Sequence, residues 1–500
     1  MVVVLNCTLM IAQTEFEAQK YVQTDINGTA RYMGMGGAFG ALGGDASAIK
    51  DNPAGLGIFR KSELSGTMNL TMQNTTSKWN DVKSIYENPY KTGLNNFSLI
   101  FAMPISVVDG SGLVSSNWSF GYNRLKDFNR NMNIKSGASA SSITDYMGYF
   151  TGGIPSNDLS ETNNYNPYDN EFVPWISIAA YNGYLIDPLA NNQWRTALGD
   201  NQLVTPSYYL TEKGHLDEYS LGWAGNFSNS FYFGATVNFQ SLNYTHIGNY
   251  SEDFGSGEYM NIGDTVYSKG NGMNLSIGCI FRPIDYLRLG LSIQTPSIYT
   301  ITDNYYSTMK SNLRDTLRTL VSPLPPPNEF KLQGPLKINA SAALILGKKG
   351  IVSVEYDFSN NSGMQLMDVD NNNAKFTKEN ERMKTNLNNV QTIKIGGEYK
   401  LTNSFALRAG FANTSNANNP DAYKQMYENT VRMDPQFFIH NSTNYLTAGF
   451  GYREASWFVD FAYVNKILDE TFYPYDSSSL TGASVITKTN NVVVTLGLKF

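Results

Sequence analysis

Cysteine, histidine and charge are all scarce in this 500-residue chain. Cys7 and Cys279 are its two cysteines, too few for a disulfide framework. Histidine occurs three times, at His215, His246 and His440, without the spacing that metal-binding motifs use. Charged residues make up 16% of the chain, against about 25% in ordinary soluble domains. No run of about 18 apolar residues occurs, which argues against membrane-spanning helices. A formal net charge of −6 leaves no basic footprint for nucleic acid. There is no GxSxG, no HExxH, no CxxC pair and no phosphate-binding glycine loop. No catalytic site, metal site or cofactor is therefore expected.

What the chain does have is aromatic residues, 13% of the total with 32 Tyr and 27 Phe. Many aromatics and few charges suit a transmembrane β-barrel, where lipid-facing and lumen-facing side chains alternate. The alternation is clearest at Ser230 to Gln240. There Phe231, Phe233, Ala235, Val237 and Phe239 share one face, and Tyr232, Gly234, Thr236, Asn238 and Gln240 share the other. The same period predicts strands over 62–73, 93–107, 116–128, 215–227, 230–244, 270–282, 286–300, 334–347, 350–359, 389–401, 404–413, 442–453, 456–466 and 490–500, fourteen in all. Short turns follow the even strands, at 108–115, 228–229, 283–285, 348–349, 402–403 and 454–455. Long loops follow the odd ones, at 74–92, 129–214, 245–269, 301–333, 360–388, 414–441 and 467–489. Sorting by parity is expected of an outer-membrane barrel with short periplasmic turns and long extracellular loops. The last strand, Asn491 to Phe500, has Val492, Val494, Leu496, Leu498 and Phe500 on one face. It resembles the terminal-strand signal read by barrel-assembly machinery.

The stretch Arg31 to Phe59 fits neither strand nor amphipathic helix. It is dense in glycine and alanine, which lets backbone approach backbone. Asp45 is placed to N-cap a helical turn over Ala46–Ile49, and Asn52-Pro53 ends it. The apolar residues Phe39, Leu42, Ile49, Leu56, Ile58 and Phe59 point to burial. The run MGMGGAF followed by DASA and NPAGL, within Met33 to Leu56, resembles the hatch motif of the FadL/TodX family of outer-membrane transporters for hydrophobic compounds. That resemblance implies an all-β fold, a fourteen-stranded antiparallel barrel with an N-terminal plug in its lumen. It also implies a monomer and a fatty-acid-like ligand. No energy-coupling residues are visible in the sequence, so passive, binding-driven diffusion is expected.

The expected layout has residues 1–13 as a truncated secretory signal, 14–60 as the hatch and 61–500 as the barrel. The signal lacks a positive n-region, so the true start is expected upstream, with cleavage near Ala12 or Gln13. Asn6 before Cys7 argues against lipidation. Asn52, Pro53, Ala54 and Gly55 are expected to form a gating turn, with Asp45 supporting it. Arg288, Lys394, Glu398, Arg408 and Asp460 fall on lumen-facing parity and are expected to pair or brace the plug. Cys279 falls on the lipid face.

The long loop carries an apolar stripe at helical spacing, Trp175, Ile178, Tyr181 and Leu185, after Pro174. It is expected either to pack as a cap or to form a greasy docking groove. Phe39 and Leu42 are expected to line an apolar pocket beside the hatch. The reading is an outer-membrane channel for hydrophobic small molecules in a Gram-negative cell, not an enzyme. Because the histidines sit near the outer strand ends, a haem-binding receptor stays open as an alternative, as does a structural or adhesive barrel.

Overall fold

The computed structural model describes residues 14–106, 112–372, 374–426, 430–476 and 480–500. The expected signal, 1–13, and part of the turn expected at 108–115 lie outside the described residues. Fourteen antiparallel strands close into one barrel. In chain order they are β1 Glu63–Trp79, β2 Lys91–Pro104, β3 Leu113–Asp127, β4 Thr205–Phe227, β5 Phe231–Gly255 and β6 Glu258–Ile284. Two strands then come in two pieces each, β7 as Leu287–Gln294 and Ile298–Leu313, and β8 as Asn328–Gln333 and Lys337–Leu346. They are followed by β9 Gly350–Ser359, β10 Val390–Lys400, β11 Phe405–Thr414, β12 Phe437–Arg453, β13 Trp457–Tyr473 and β14 Ala483–Lys499. The barrel closes where β14 pairs with β1 from Glu63↔Lys499 to Lys78↔Ser484. Pro296 and Pro335 stand at the two interruptions, because a residue without an N–H cannot continue the ladder.

Side-chain parity makes the wall amphipathic. On β6, Met273, Leu275, Ile277 and Phe281 are exposed, while Asn274, Ser276 and Ile280 face inward and are buried. Neighbouring strands carry matching outward rows, such as Phe231, Phe233 and Phe239 on β5 and Leu289, Leu291 and Ile293 on β7. This band is the lipid-facing belt of a membrane barrel.

The strands run further than their apolar alternation suggests. The loop expected at 245–269 is instead the upper part of β5 and β6, joined by a tight turn at Ser256–Gly257 with positive φ values of 56° and 86°. Much of the loops expected at 301–333 and 467–489 is also strand. Above the belt the outward positions become mostly polar, with Asn243, Thr245, Asn249 and Ser251 around Ile247, so the apolar signal fades although the backbone ladder continues. Parity survives: one end of the barrel has only short connections, and the other carries everything else.

The inside is filled in layers. At the short-turn end lie α2 (Ala30–Gly34) and two 3-10 turns, Ala46–Lys50 and Pro53–Ile58. Above them stands α1 (Glu15–Val22). The far mouth is covered by α3 (Ile143–Phe150) and α4 (Trp175–Asn182) from the segment between β3 and β4, while α5 (Thr377–Asn386) lies against α1.

Replacing Ile277 by Arg puts a charge at mid-belt and is expected to cost about 2–4 kcal/mol of folding stability in vesicles. Asn271→Arg on the same face at the rim is expected to cost at most about 1 kcal/mol. Denaturant titration of the two variants measures the difference, and equal losses would place the belt elsewhere.

The hatch, the mouth cap and the lumen chamber

Local capping shapes the hatch. Asp45 accepts from Ser47 N at 3.0 Å and from Thr29 Oγ1 at 2.7 Å, which starts the turn Ala46–Lys50. Asn52 caps the next turn, accepting from Ala54 N at 3.1 Å. Its Nδ2 donates to Gly40 O at 2.8 Å and to the wall carbonyl of Cys279 at 3.1 Å. One amide thus ties two hatch turns to β6. Pro53 takes the first position of its turn, where no N–H is needed. Ala54 packs on Tyr232 and Ile280, and Gly55 lies against Gly43.

The wall is thinned where the hatch touches it. A Cβ on Gly396 would come within 2.3 Å of Met35 O, and one on Gly410 within 2.3 Å of Gly36 N. Gly234 presses on Pro53 and Gly290 on Gly40 in the same way, Gly278 leaves room for the Asn52 side-chain oxygen, and Gly449 lies in ordinary contact with Gly34. Glycine lets two backbones approach at these points. The signal was present in the sequence as glycines on the inward parity of six strands, but it becomes meaningful only once their hatch partners are known.

The inward charges form two clusters that hold the hatch. Glu398 receives Arg31 Nε of the hatch at 2.9 Å and Arg408 Nε at 2.7 Å. Arg408 continues to Asp460 at 2.6 Å, which also takes Arg453 at 2.8 Å. In the second cluster Lys394 reaches Glu355 and Asp357 at 2.7 Å each and Asp51 of the hatch at 3.7 Å. Burial alone would raise the Asp51 carboxyl, but Lys394 and Lys50 outweigh it and hold it below the usual range. Arg288 donates to Leu42 O at 2.7 Å.

The upper lumen has its own clamp on α1. The helix begins with a capping box between Thr14 and Glu17, a helix-start signature of the form T-x-x-E that the sequence itself carries. Ala18, Tyr21 and Val22 insert into an apolar bowl with Leu125, Leu216 and Phe330. Its polar side meets the connection between β11 and β12, which folds inward with Lys424 and Arg432 buried. Glu17 lies 3.7 Å from Lys424 and 3.3 Å from Arg432. Burial would raise the Glu17 carboxyl, but those two cations hold it low. Lys20 pairs with Glu212, and Asn418 donates to Gln19 at 2.8 Å.

Trp175, Ile178 and Tyr181 of the apolar stripe lie on α4, with Pro174 as its N-cap, whereas Leu185 follows past the helix end. Trp175, Ile178 and Leu185 are buried in the cap core with Ile143, Met147, Tyr208 and Met309. Tyr181 is half-buried, with its ring 5.5 Å from that of Trp194. The stripe packs inward, so it presents no open groove. Glu252 of β5 anchors this cap by accepting from Ile143 N at 2.7 Å.

Between the hatch and α1 lies a cavity of about 210 Å³. Its lining is mixed, with Asp25, Lys50, Glu218, Lys337 and His440 beside Val22, Leu125 and Phe358. Phe39 and Leu42, expected at an apolar pocket, are packed with Tyr32, Met33 and Met35 and do not line it. The histidines stand apart in role: His215 is 3.3 Å from Asp217, His246 is 3.0 Å from Asp264, and His440 is 2.9 Å from Thr443 Oγ1. Among the described residues no three metal-ligating side chains gather.

Solved structures share this barrel fold. A FadL homologue from Pseudomonas aeruginosa matches with a TM-score of 0.52 and 12% identity, covering 96% of this chain and 99% of that one. The Pseudomonas putida toluene transporter TodX matches at 0.53 and 12%, covering 95% and 99%. The chain has the FadL-type barrel fold. No family model matches its sequence, and no curated protein does. At 12% identity the likeness reaches the architecture of this FadL-type barrel and not its ligand.

Two substitutions separate the layers. Glu398→Gln leaves Arg31 and Arg408 facing a neutral amide in a buried site, which is expected to loosen the hatch by about 3–5 kcal/mol. Ion current through planar bilayers is expected to rise while the heat-modifiable mobility of the barrel on gels is unchanged. Ile178→Asn buries an amide in the cap core and is expected to expose the β3–β4 segment to protease without loss of the barrel band. A barrel that fails to assemble in either variant would refute this layering.

Proposed function

We propose that this chain is an outer-membrane channel through which hydrophobic, fatty-acid-like small molecules pass by binding-driven diffusion. One observation carries the reading: a closed barrel whose lumen is filled by an N-terminal segment held through side-chain hydrogen bonds, ion pairs and glycine contacts. None of those contacts belongs to the strand ladder, so the hatch can shift without opening the wall. TodX, one of the similar structures, is described as a toluene transporter, which supports a hydrophobic ligand here. The long-loop end faces outside in a Gram-negative cell and the short-turn end faces the periplasm. The barrel works as a monomer, inserted by assembly machinery that reads the last strand ending at Phe500. Residues 14–60 act as the hatch and 61–500 as the barrel.

The apolar interior of the cap, with Trp175, Ile178, Tyr181 and Leu185, takes the ligand as α3 and α4 part. Each CH₂ removed from water contributes ~0.8 kcal/mol to capture. The ligand then reaches the chamber above the hatch, and Asp45, Asn52, Pro53, Ala54 and Gly55 control onward passage.

The double substitution Asn52→Ala/Pro53→Ala removes the amide that ties the hatch turns to β6. Single-channel conductance and sensitivity to bulky antibiotics are expected to rise, with barrel mobility unchanged and uptake of radiolabelled oleate reduced. A variant that stays closed and takes up oleate normally would overturn the hatch as a gate.

A further inference from the structure

We propose that the cavity between the hatch and α1 holds the head of a zwitterionic amphiphile, with Glu218 receiving its cationic group and Lys337 its anionic group. The inference rests on the channel reading and narrows its ligand class. Four lysines and four carboxylates line the cavity: Lys50, Lys126, Lys337 and Lys394 against Asp25, Asp51, Glu218 and Asp357. Six of the eight are already paired. Asp25 takes Lys126 at 3.1 Å and Lys466 at 2.6 Å, Lys50 is 2.9 Å from Asp51, and Lys394 is 2.7 Å from Asp357.

Glu218 and Lys337 are left over. The Glu218 side chain, on β4, is 2% exposed and receives one hydrogen bond, from Gln240 Nε2 at 2.8 Å. Gln240 is held in that orientation by Tyr299, whose hydroxyl donates to its Oε1. Lys337, where the lower piece of β8 begins, makes no hydrogen bond or ion pair among the described residues. The two line one cavity without forming a pair with each other. Glu218 is buried with a single donor and Lys337 is half-buried with none, so filling the cavity with apolar matter would leave both short of partners at a cost.

A plain hydrocarbon would desolvate both groups and satisfy neither. A simple carboxylate would satisfy Lys337 but meet repulsion from Glu218. A head with both signs answers each group and keeps the chamber neutral. An apolar flank of Val22, Leu125, Ile338, Phe358, Val390 and Leu468 lines the same space and accepts the start of a chain.

The test uses the full chain in lipid nanodiscs and isothermal titration calorimetry, with protein-free nanodiscs subtracted. Four probes share an eight-carbon chain: N-octyl-N,N-dimethylglycine, octanoate, octyltrimethylammonium and n-octane. The dimethylglycine is expected to bind at least tenfold more tightly than any of the others. Glu218→Gln is expected to cut its affinity about tenfold while leaving octanoate equal or better, and Lys337→Met to weaken both. The exchange Glu218→Lys/Lys337→Glu is expected to recover part of the loss seen in either single variant, with barrel mobility on gels as the control for folding. If octane or octanoate binds as well as the dimethylglycine in the unaltered protein, the head-group site is wrong and the channel reading stands. If no probe binds, both fall.

Discussion

The rule that no backbone N–H or C=O can be left unpaired in lipid dictates the rest of this molecule. It closes the sheet, so the last strand must return to the first, and it does so through the long β14–β1 ladder. Closure creates a lumen wide enough to leak. Everything inside the wall answers that consequence, in three layers with different chemistry. The hatch is held by backbone proximity and buried charge, α1 by a polar clamp over an apolar bowl, and the cap by an apolar core.

The layers differ in how readily they yield. Wall strands are secured by continuous ladders, whereas the hatch hangs on a few residues, chiefly Asn52, Arg31 and the glycine contacts. A buried ion pair adds little net stability, but losing one partner is costly. The Arg31–Glu398–Arg408–Asp460 chain therefore acts mainly to specify where the hatch sits. It lets a segment with few large side chains find one position in a polar lumen.

The chamber between these layers gives the lumen its chemical character. Its mixed lining differs from the apolar pocket expected beside Phe39 and Leu42, and the reason is geometric. Those two side chains point into the packing between hatch and wall, where close glycine contacts leave no space. Open volume remains where charged wall residues outnumber the hatch groups available to pair with them, around Glu218 and Lys337.

The sequence by itself determined the barrel, its fourteen strands, the parity of its connections and the cap at Asp45. These depend on period-two alternation and on local hydrogen bonding, both of which act within a few residues. That Asn52, read as the end of one turn, caps the next came from the structure. The sequence also determined that the stripe from Trp175 to Tyr181 is helical, though Leu185 lies past the helix end. Only the tertiary structure decided which way that stripe faces, that β5 and β6 continue far above the belt, and that the segment before β12 folds inward onto α1. It alone decided which charges pair, because Arg31 and Glu398 are separated by 367 positions. The physical reason is the same in each case: alternation records which side of a wall a residue occupies, whereas pairing and free volume depend on what stands opposite, and that is set when the sheet closes.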